Sequence, residues 1–196
     1  MVQHRIAIVR RLSELFLIWL GCAVHALGAE ADAPGHGQGP PPLFYAIVSD
    51  TQKPDNDPFA QFAEAVEEIN DVAPAFVLMP GDLTNTGTPN QYRHFLAVAR
   101  ELSPPLLLMP GNHEGPPGEA VYRERFTEFT RQKPFYHTEI GGWHLFVLDS
   151  VCFENGKLVH HGRIGPKQMT WLDAQLDEIP PLEPIVLSLH HPLSTH

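Results

Sequence analysis

The sequence predicts an α/β fold with a largely parallel first sheet, and three observations predict it. Short, nearly continuous apolar runs alternate with segments whose apolar residues recur every three or four positions. Strands buried on both faces and separated by amphipathic helices read this way. A five-residue phrase, Leu78-Met79-Pro80-Gly81-Asp82, returns as Leu108-Met109-Pro110-Gly111-Asn112. The polar residues that close successive runs are evenly spaced, with 32 positions from Asp50 to Asp82 and 30 from Asp82 to Asn112. One strand–helix–strand unit takes roughly 30 residues.

The elements follow in order. Arg5, Arg10 and Arg11 precede an apolar stretch that opens at Leu15–Leu20 and runs to about Leu27, and Ala29-Glu30-Ala31 offers a cleavage site. Residues 1–31 are therefore expected to be an export signal, and the chain secreted or periplasmic. The apolar stretch is short for a membrane span, and Glu14 and His25 interrupt its ends, so no stable membrane anchor is expected. Residues 32–42, rich in Pro and Gly and ending in Pro40-Pro41-Pro42, read as a linker, and residues 43–196 as the domain.

Leu43–Ser49 is the first buried strand. Asp57-Pro58 reads as a helix start, followed by a face of Phe59, Phe62, Val66 and Ile69. Ala75–Met79 is the second strand. Thr88 and Gln91 fit a capping box ahead of a helix with Tyr92, Phe95, Leu96 and Ala99 on one face. Leu106–Met109 is the third strand, and a helix is expected from about Glu119 to Phe129. Phe135–Glu139 and Trp143–Asp149 flank Gly141-Gly142 as a hairpin. Residues 150–165 read as a long loop. Gly165-Pro166 opens a helix with Met169, Leu172 and Leu176 on one face, and Ile185–Leu189 is a last strand ending in His190-His191-Pro192.

Composition narrows the function. The 196 residues carry a formal net charge of −10, which argues against a broad nucleic-acid surface. It leaves room for a small phosphorylated substrate, because bound dications invert the charge of a local site. Cys22 and Cys152 are the only cysteines, so there is no disulfide framework, and Cys152 reads as a structural or incidental thiol. No Gly-x-Ser-x-Gly elbow is present, so a serine hydrolase lacks its nucleophile.

Parallel crossovers bring the ends of successive strands to one edge of the sheet, where open α/β sheets bind ligands. Asp50, Asp82, Asn112-His113 and His190 are therefore expected on neighbouring strand ends. Any one of them alone is explained as a cap or a turn residue; four at consecutive strand ends are not. Carboxylate, amide and imidazole donors together suit Mn, Fe, Zn or a mixed pair.

The set Asp50-Thr51-Gln52, Gly81-Asp82, Gly111-Asn112-His113-Glu114 and His190-His191-Pro192 resembles the calcineurin-like metallophosphoesterases, over about Leu43 to Pro192. The segment Gly162-Arg163-Ile164-Gly165 with Gln168 and Trp171-Leu172 adds to the likeness. The resemblance implies a four-layer α/β/β/α sandwich holding two divalent or trivalent metal ions, Fe, Mn or Zn. It implies hydrolysis of a phosphomonoester or phosphodiester by a metal-bridging hydroxide. Asp50 would bind the first metal, Asp82 would bridge both, and Asn112 and His190 would bind the second. His113 would be the catalytic residue facing the phosphate, and Asn112, His113 and His191 would contact substrate. Glu114 would orient His113 or be a solvated loop acid.

Two departures from the family pattern bear on activity. Gln52 stands where many members have a metal-binding histidine, and a neutral amide oxygen is a weaker ligand for late transition metals. The final Gly-His-x-His motif is absent before His196. The sandwich is therefore expected to be incomplete at its C-terminus, with apolar strand edges exposed and poor solubility. The alternative reading is a truncated or degenerate, non-catalytic member that binds metal or phosphate weakly.

Overall fold

The computed structural model of the protein describes residues 18–23, 41–52 and 59–192. The Asp57-Pro58 helix start, most of the segments read as signal and linker, and residues 193–196 lie outside them. The buried runs pair as their hydropathy requires. β1 (Ile18–Ala23), β2 (Leu43–Val48), β3 (Val77–Pro80) and β4 (Leu106–Met109) form one sheet in that order. β2, β3 and β4 run parallel, with Ala46 opposite Val77 and Val77 opposite Leu106. β1, inside the stretch read as an export signal, adds to β2 antiparallel, from Ile18 opposite Val48 to Ala23 opposite Leu43.

Three helices cover this sheet's outer face: α1 (Ala60–Val72), α2 (Pro89–Ala99) and α3 (Glu119–Thr130). Phe62, Val66 and Ile69 of α1 and Tyr92, Phe95 and Leu96 of α2 are buried in one cluster with Ala46, Val48, Val77 and Met79 of the sheet. Phe62 and Phe95 stack with centroids 5.6 Å apart. Thr88 caps α2 by accepting the Gln91 N–H at 3.3 Å, while the Gln91 amide oxygen accepts from Thr86 N at 2.7 Å.

The hairpin at Gly141-Gly142 joins β5 (Tyr136–Ile140) to β6 (Trp143–Val147). β9 (Ile185–Ser188) lies parallel to β6 and completes a second sheet in the order β5-β6-β9. Trp143, Leu145 and Val147 pack against Leu43, Leu78, Leu107 and Met109, so the two sheets face each other across a shared core. α4 (Pro166–Asp177) closes the far side, with Leu172 against Phe146 and Leu148. The layers are thus helix, sheet, sheet, helix, as the motif likeness implies.

Two expectations need correction. Residues 150–165 are not all loop: β7 (Cys152–Glu154) and β8 (Lys157–Val159) form a small hairpin. Its signal was Asn155-Gly156, whose φ of 51° and 73° suit a two-residue hairpin turn. Met169 does not face inward on α4 but is 41% exposed. The inward place belongs to buried Gln168, whose amide oxygen accepts from Asp149 N (2.9 Å) and whose nitrogen donates to Asp149 O (2.7 Å). That pairing satisfies the backbone where β6 ends, which an apolar side chain could not do. On β9, Ile185 and Leu187 are 41% and 46% exposed, and among the described residues no strand pairs with the edge of β9 away from β6.

Candidate active site

The parallel strands deliver their terminal residues to one rim. The pairing between β2 and β3 continues past the strands, with Asp50 N donating to Gly81 O (3.5 Å) and Gln52 N to Asp82 O (3.0 Å). Buried Thr51 adds a bond from its hydroxyl to Leu83 O at 3.3 Å. Asp50 and Asp82 both take left-handed backbone angles, φ 58° and 52°, which turn the chain sharply at the strand ends. Aspartate tolerates that region better than most residues. Gly81 is required on two grounds. Its φ is 86°, and a Cβ there would lie 2.6 Å from Gly111 N and 2.9 Å from His190 Nδ1. A Cβ on Gly111 would overlap the Asp82 carboxylate and amide. The two Pro-Gly turns of the repeated phrase are what let the segments meet.

Three donors converge where they meet. His190 Nε2 is 3.1 Å from Asn112 Oδ1 and 3.4 Å from Asp82 Oδ1, and Asp82 is 4% exposed. The second ring nitrogen of His190, Nδ1, donates to Pro80 O at 2.7 Å. A neutral imidazole has one N–H, so this bond leaves Nε2 with a lone pair aimed at two oxygens that also carry lone pairs. With the Asn112 oxygen facing the ring, a second ring proton or a metal ion at Nε2 satisfies that arrangement. Metal-binding histidines commonly donate their other N–H to a carbonyl in this way. The donor set therefore fits a metal ion on the chemistry of its own atoms.

His113 stands beside these donors. Its backbone N–H donates to Asp82 Oδ1 (2.9 Å) and its Nδ1 to Asn85 O (2.7 Å), which leaves Nε2 3.9 Å from Asp82 Oδ2 on a side chain 36% exposed. Glu114 is neither a solvated acid nor the partner of His113. It is fully buried, and its Oε1 accepts from Thr84 N and Thr84 Oγ1, both at 2.8 Å. Its Oε2 accepts from Gly111 N at 2.8 Å, so it ties the loop after Asp82 to the turn before Asn112. Burial pushes its carboxyl up to about 8, the Gly111 hydrogen bond pulls it back, the nearby Asp82 raises it, and the two Thr84 bonds lower it. A glutamate three residues past a glycine does not by itself reveal this role, because two of its three donors come from Thr84, 30 positions away.

The remaining expected residues differ in placement. Asp50 sits exposed at the end of β2, joined to the Asp82 segment through backbone. Gln52, with its amide nitrogen turned inward, donates to the carbonyls of Asp50 and Asp82, each at 3.0 Å, and keeps its amide oxygen for another partner. His191 is 6% exposed, its Nδ1 lies 2.8 Å from Ser150 Oγ, and Gly162 packs directly on it. Burial, and then the proximity of His190, His161 and His160, hold its pKa down to about 4. His137 Nε2 and His144 Nδ1 bond to each other at 2.9 Å. His144 is the second residue of β6, so the pair lies at the opposite end of the second sheet from His190.

The family model described as calcineurin-like phosphoesterase matches residues 45–196, which takes in every strand end named above. The chain belongs to the calcineurin-like phosphoesterases. Among curated proteins of this family it is similar to a probable cyclic nucleotide phosphodiesterase of Synechococcus sp., 33% identical over 61% of this chain and 43% of the relative. It is similar to the 3',5'-cyclic adenosine monophosphate phosphodiesterase CpdA of Haemophilus influenzae, 28% identical over 70% of this chain and 48% of the relative. It is also similar to the glycerophosphodiester phosphodiesterase GpdQ of Enterobacter lignolyticus, 28% identical over 66% and 47%. The chain spans about half the length of the curated relatives it matches. Among the described residues, no helix of the chain is long and apolar enough to cross a membrane.

Proposed function

We propose that this chain carries the metal-binding part of a phosphodiesterase centre acting on a small phosphorylated substrate. The observation that carries the reading is the His190 ring, held by Pro80 O with Nε2 facing Asn112 and Asp82. Asp82, Asn112 and His190 would hold one metal ion, and Asp50 with the Gln52 amide oxygen would hold a second beside it, Asp82 serving both. Bound dications supply Lewis-acid polarisation of phosphoryl oxygens and a nucleophile from water at neutral pH. The protein's own residues do the rest. Glu114 fixes the spacing between the Asp82 and Asn112 turns. The backbone N–H of His113 orients the Asp82 carboxylate. The His113 ring, oriented by Asn85 O with Nε2 on its open side, donates a proton from its doubly protonated form to the departing alkoxide. Relatives named for cyclic nucleotides and for glycerophosphodiesters favour a diester substrate.

The test is hydrolysis of bis(p-nitrophenyl) phosphate and of 3',5'-cyclic AMP by chain stripped with chelator and reloaded with Mn(II). The expected result is metal-dependent turnover lost in Asp82→Asn and reduced in His113→Ala with metal content kept. Metal-independent turnover, or none with metal bound, contradicts it. A second reading, metal or phosphate binding without turnover, is favoured by one observation: Gln52 commits its amide nitrogen to backbone carbonyls and leaves a neutral oxygen as its only donor. We also propose export, from Arg5, Arg10, Arg11 and the Ala29-Glu30-Ala31 site. Cleavage there would remove β1 and leave β2 as the sheet edge. Mass spectrometry of exported protein would show a mature chain starting near Asp32, and an intact Met1 would contradict it.

A further inference from the structure

Outside the candidate centre, the β7–β8 hairpin gathers a second set of metal donors. The two-residue turn at Asn155-Gly156 fixes its register, with Cys152 opposite Val159 and Glu154 opposite Lys157. Side chains alternate along a strand, so Cys152 and Glu154 share one face, and that face continues across β8 through Val159 to His161, two residues on. The thiol sulfur, a Glu154 carboxylate oxygen and a His161 ring nitrogen all lie within 4.8 Å of one another. His161 Nε2 is 3.3 Å from Glu154 Oε1.

The hairpin is anchored. Phe153 stacks on Tyr122 with centroids 5.6 Å apart, and the Leu158 side chain packs against Gly115 so closely that a Cβ there would lie 2.6 Å from it. Cys152 is a free thiol, 7% exposed, whereas the side chains of Glu154 and His161 are 43% and 58% exposed. The cluster thus has a protected sulfur and an open side for an ion to enter.

We propose that Cys152, Glu154 and His161 form a separate site for a borderline divalent transition metal of the zinc(II) class. The thiolate disfavours hard ions such as magnesium and calcium. Sulfur, imidazole nitrogen and carboxylate oxygen suit a tetrahedral ion with water in the fourth place. Binding displaces the thiol proton to solvent. Arg163, whose Nη2 donates to Glu154 Oε1 at 2.7 Å, stays on the carboxylate as an outer partner or yields that oxygen to the ion. The consequence reaches the candidate centre. An ion held through His161 clamps the loop whose Gly162 packs on His191 and whose Arg163 N bonds Ser150 O at 3.0 Å. That loop backs the strand end that carries His190.

Cobalt(II) added to the full chain tests this with a signal the other centre cannot produce. Asp50, Gln52, Asp82, Asn112 and His190 include no sulfur, so a thiolate-to-cobalt charge-transfer band in the near ultraviolet reports a cysteine alone. In a Cys22→Ser background, the band is expected to saturate at one equivalent bound at this site, to bleach when zinc(II) is added, and to persist in Asp82→Asn. It is expected to vanish in Cys152→Ser. His161→Ala changes an exposed loop residue, leaves the fold intact, and should weaken cobalt affinity by more than about tenfold. Absence of the band in Cys22→Ser, or an unchanged band and affinity in His161→Ala, would overturn the proposal.

Discussion

Thr84→Val isolates the buried tie between the Asp82 loop and the Asn112 turn, because it removes one hydroxyl and keeps the side chain's shape. The Thr84 hydroxyl donates to Glu114 Oε1 at 2.8 Å and accepts from Gly87 N at 3.0 Å. Where Glu114 is ionised, above about pH 8, a hydrogen bond to it contributes about 1.5–3 kcal/mol, and a buried N–H left without a partner costs about 1–3 kcal/mol. Some of this is offset by the apolar methyl, so the expected loss is roughly 2–4 kcal/mol, a fall in Tm of about 5–15 °C for a chain of this size. The loss should depend on pH. Glu114 has its pKa raised from 4.5 to about 8, so its contribution to stability is fully present below the lower value and is lost as pH rises through the higher. The Thr84 bond favours the ionised form, so its removal pushes the pKa higher still. The variant's deficit is therefore smallest well below pH 8 and largest above it. Thermal unfolding of both proteins across that range reads the effect. An unchanged Tm, or a deficit that grows toward acid, would refute the assignment of Glu114 as a buried tie accepting from Thr84.

Two further outcomes follow from the same geometry. Gly111→Ala places a methyl against the Asp82 carboxylate. It should cost about 1–3 kcal/mol through overpacking and weaken Mn(II) binding more than about tenfold, read by unfolding and by metal titration; full affinity would show that the two turns are free to separate. Leu187→Lys puts a charge on the exposed face of β9, where Leu187 is 46% exposed. Size-exclusion chromatography should show less association than in the parent chain, since charged edge strands resist pairing, and an unchanged profile would mean that the β9 edge does not drive association.

The strand ends were legible because hydropathy and turn chemistry agree there. Leu106–Met109 is uniformly apolar, and Pro110-Gly111 can only be a turn, so Asn112 had to emerge at a rim. The pairing of the two sheets was legible only through the motif likeness. No periodicity states that Trp143 and Leu145 will face Leu78 and Met109, because that choice is made by long-range packing. The β7–β8 hairpin was missed because strands of three residues carry too little alternation to outweigh their polar ends, and Asn155-Gly156 was the one usable signal. Glu114 was missed because a charged residue in a loop reads as solvated until its donors, Thr84 and Gly111, are seen around it. Met169 was misplaced because helical spacing alone does not reveal that the Asp149 backbone needs the Gln168 amide.

The central claim, that neighbouring strand ends build one metal centre, is tested most directly by anomalous diffraction from Mn(II)-loaded crystals of the chain. The account predicts density enclosed by Asp82 Oδ1, Asn112 Oδ1 and His190 Nε2, with a second peak against Asp50 and Gln52. Loaded crystals with no anomalous density among Asp82, Asn112 and His190 would contradict it.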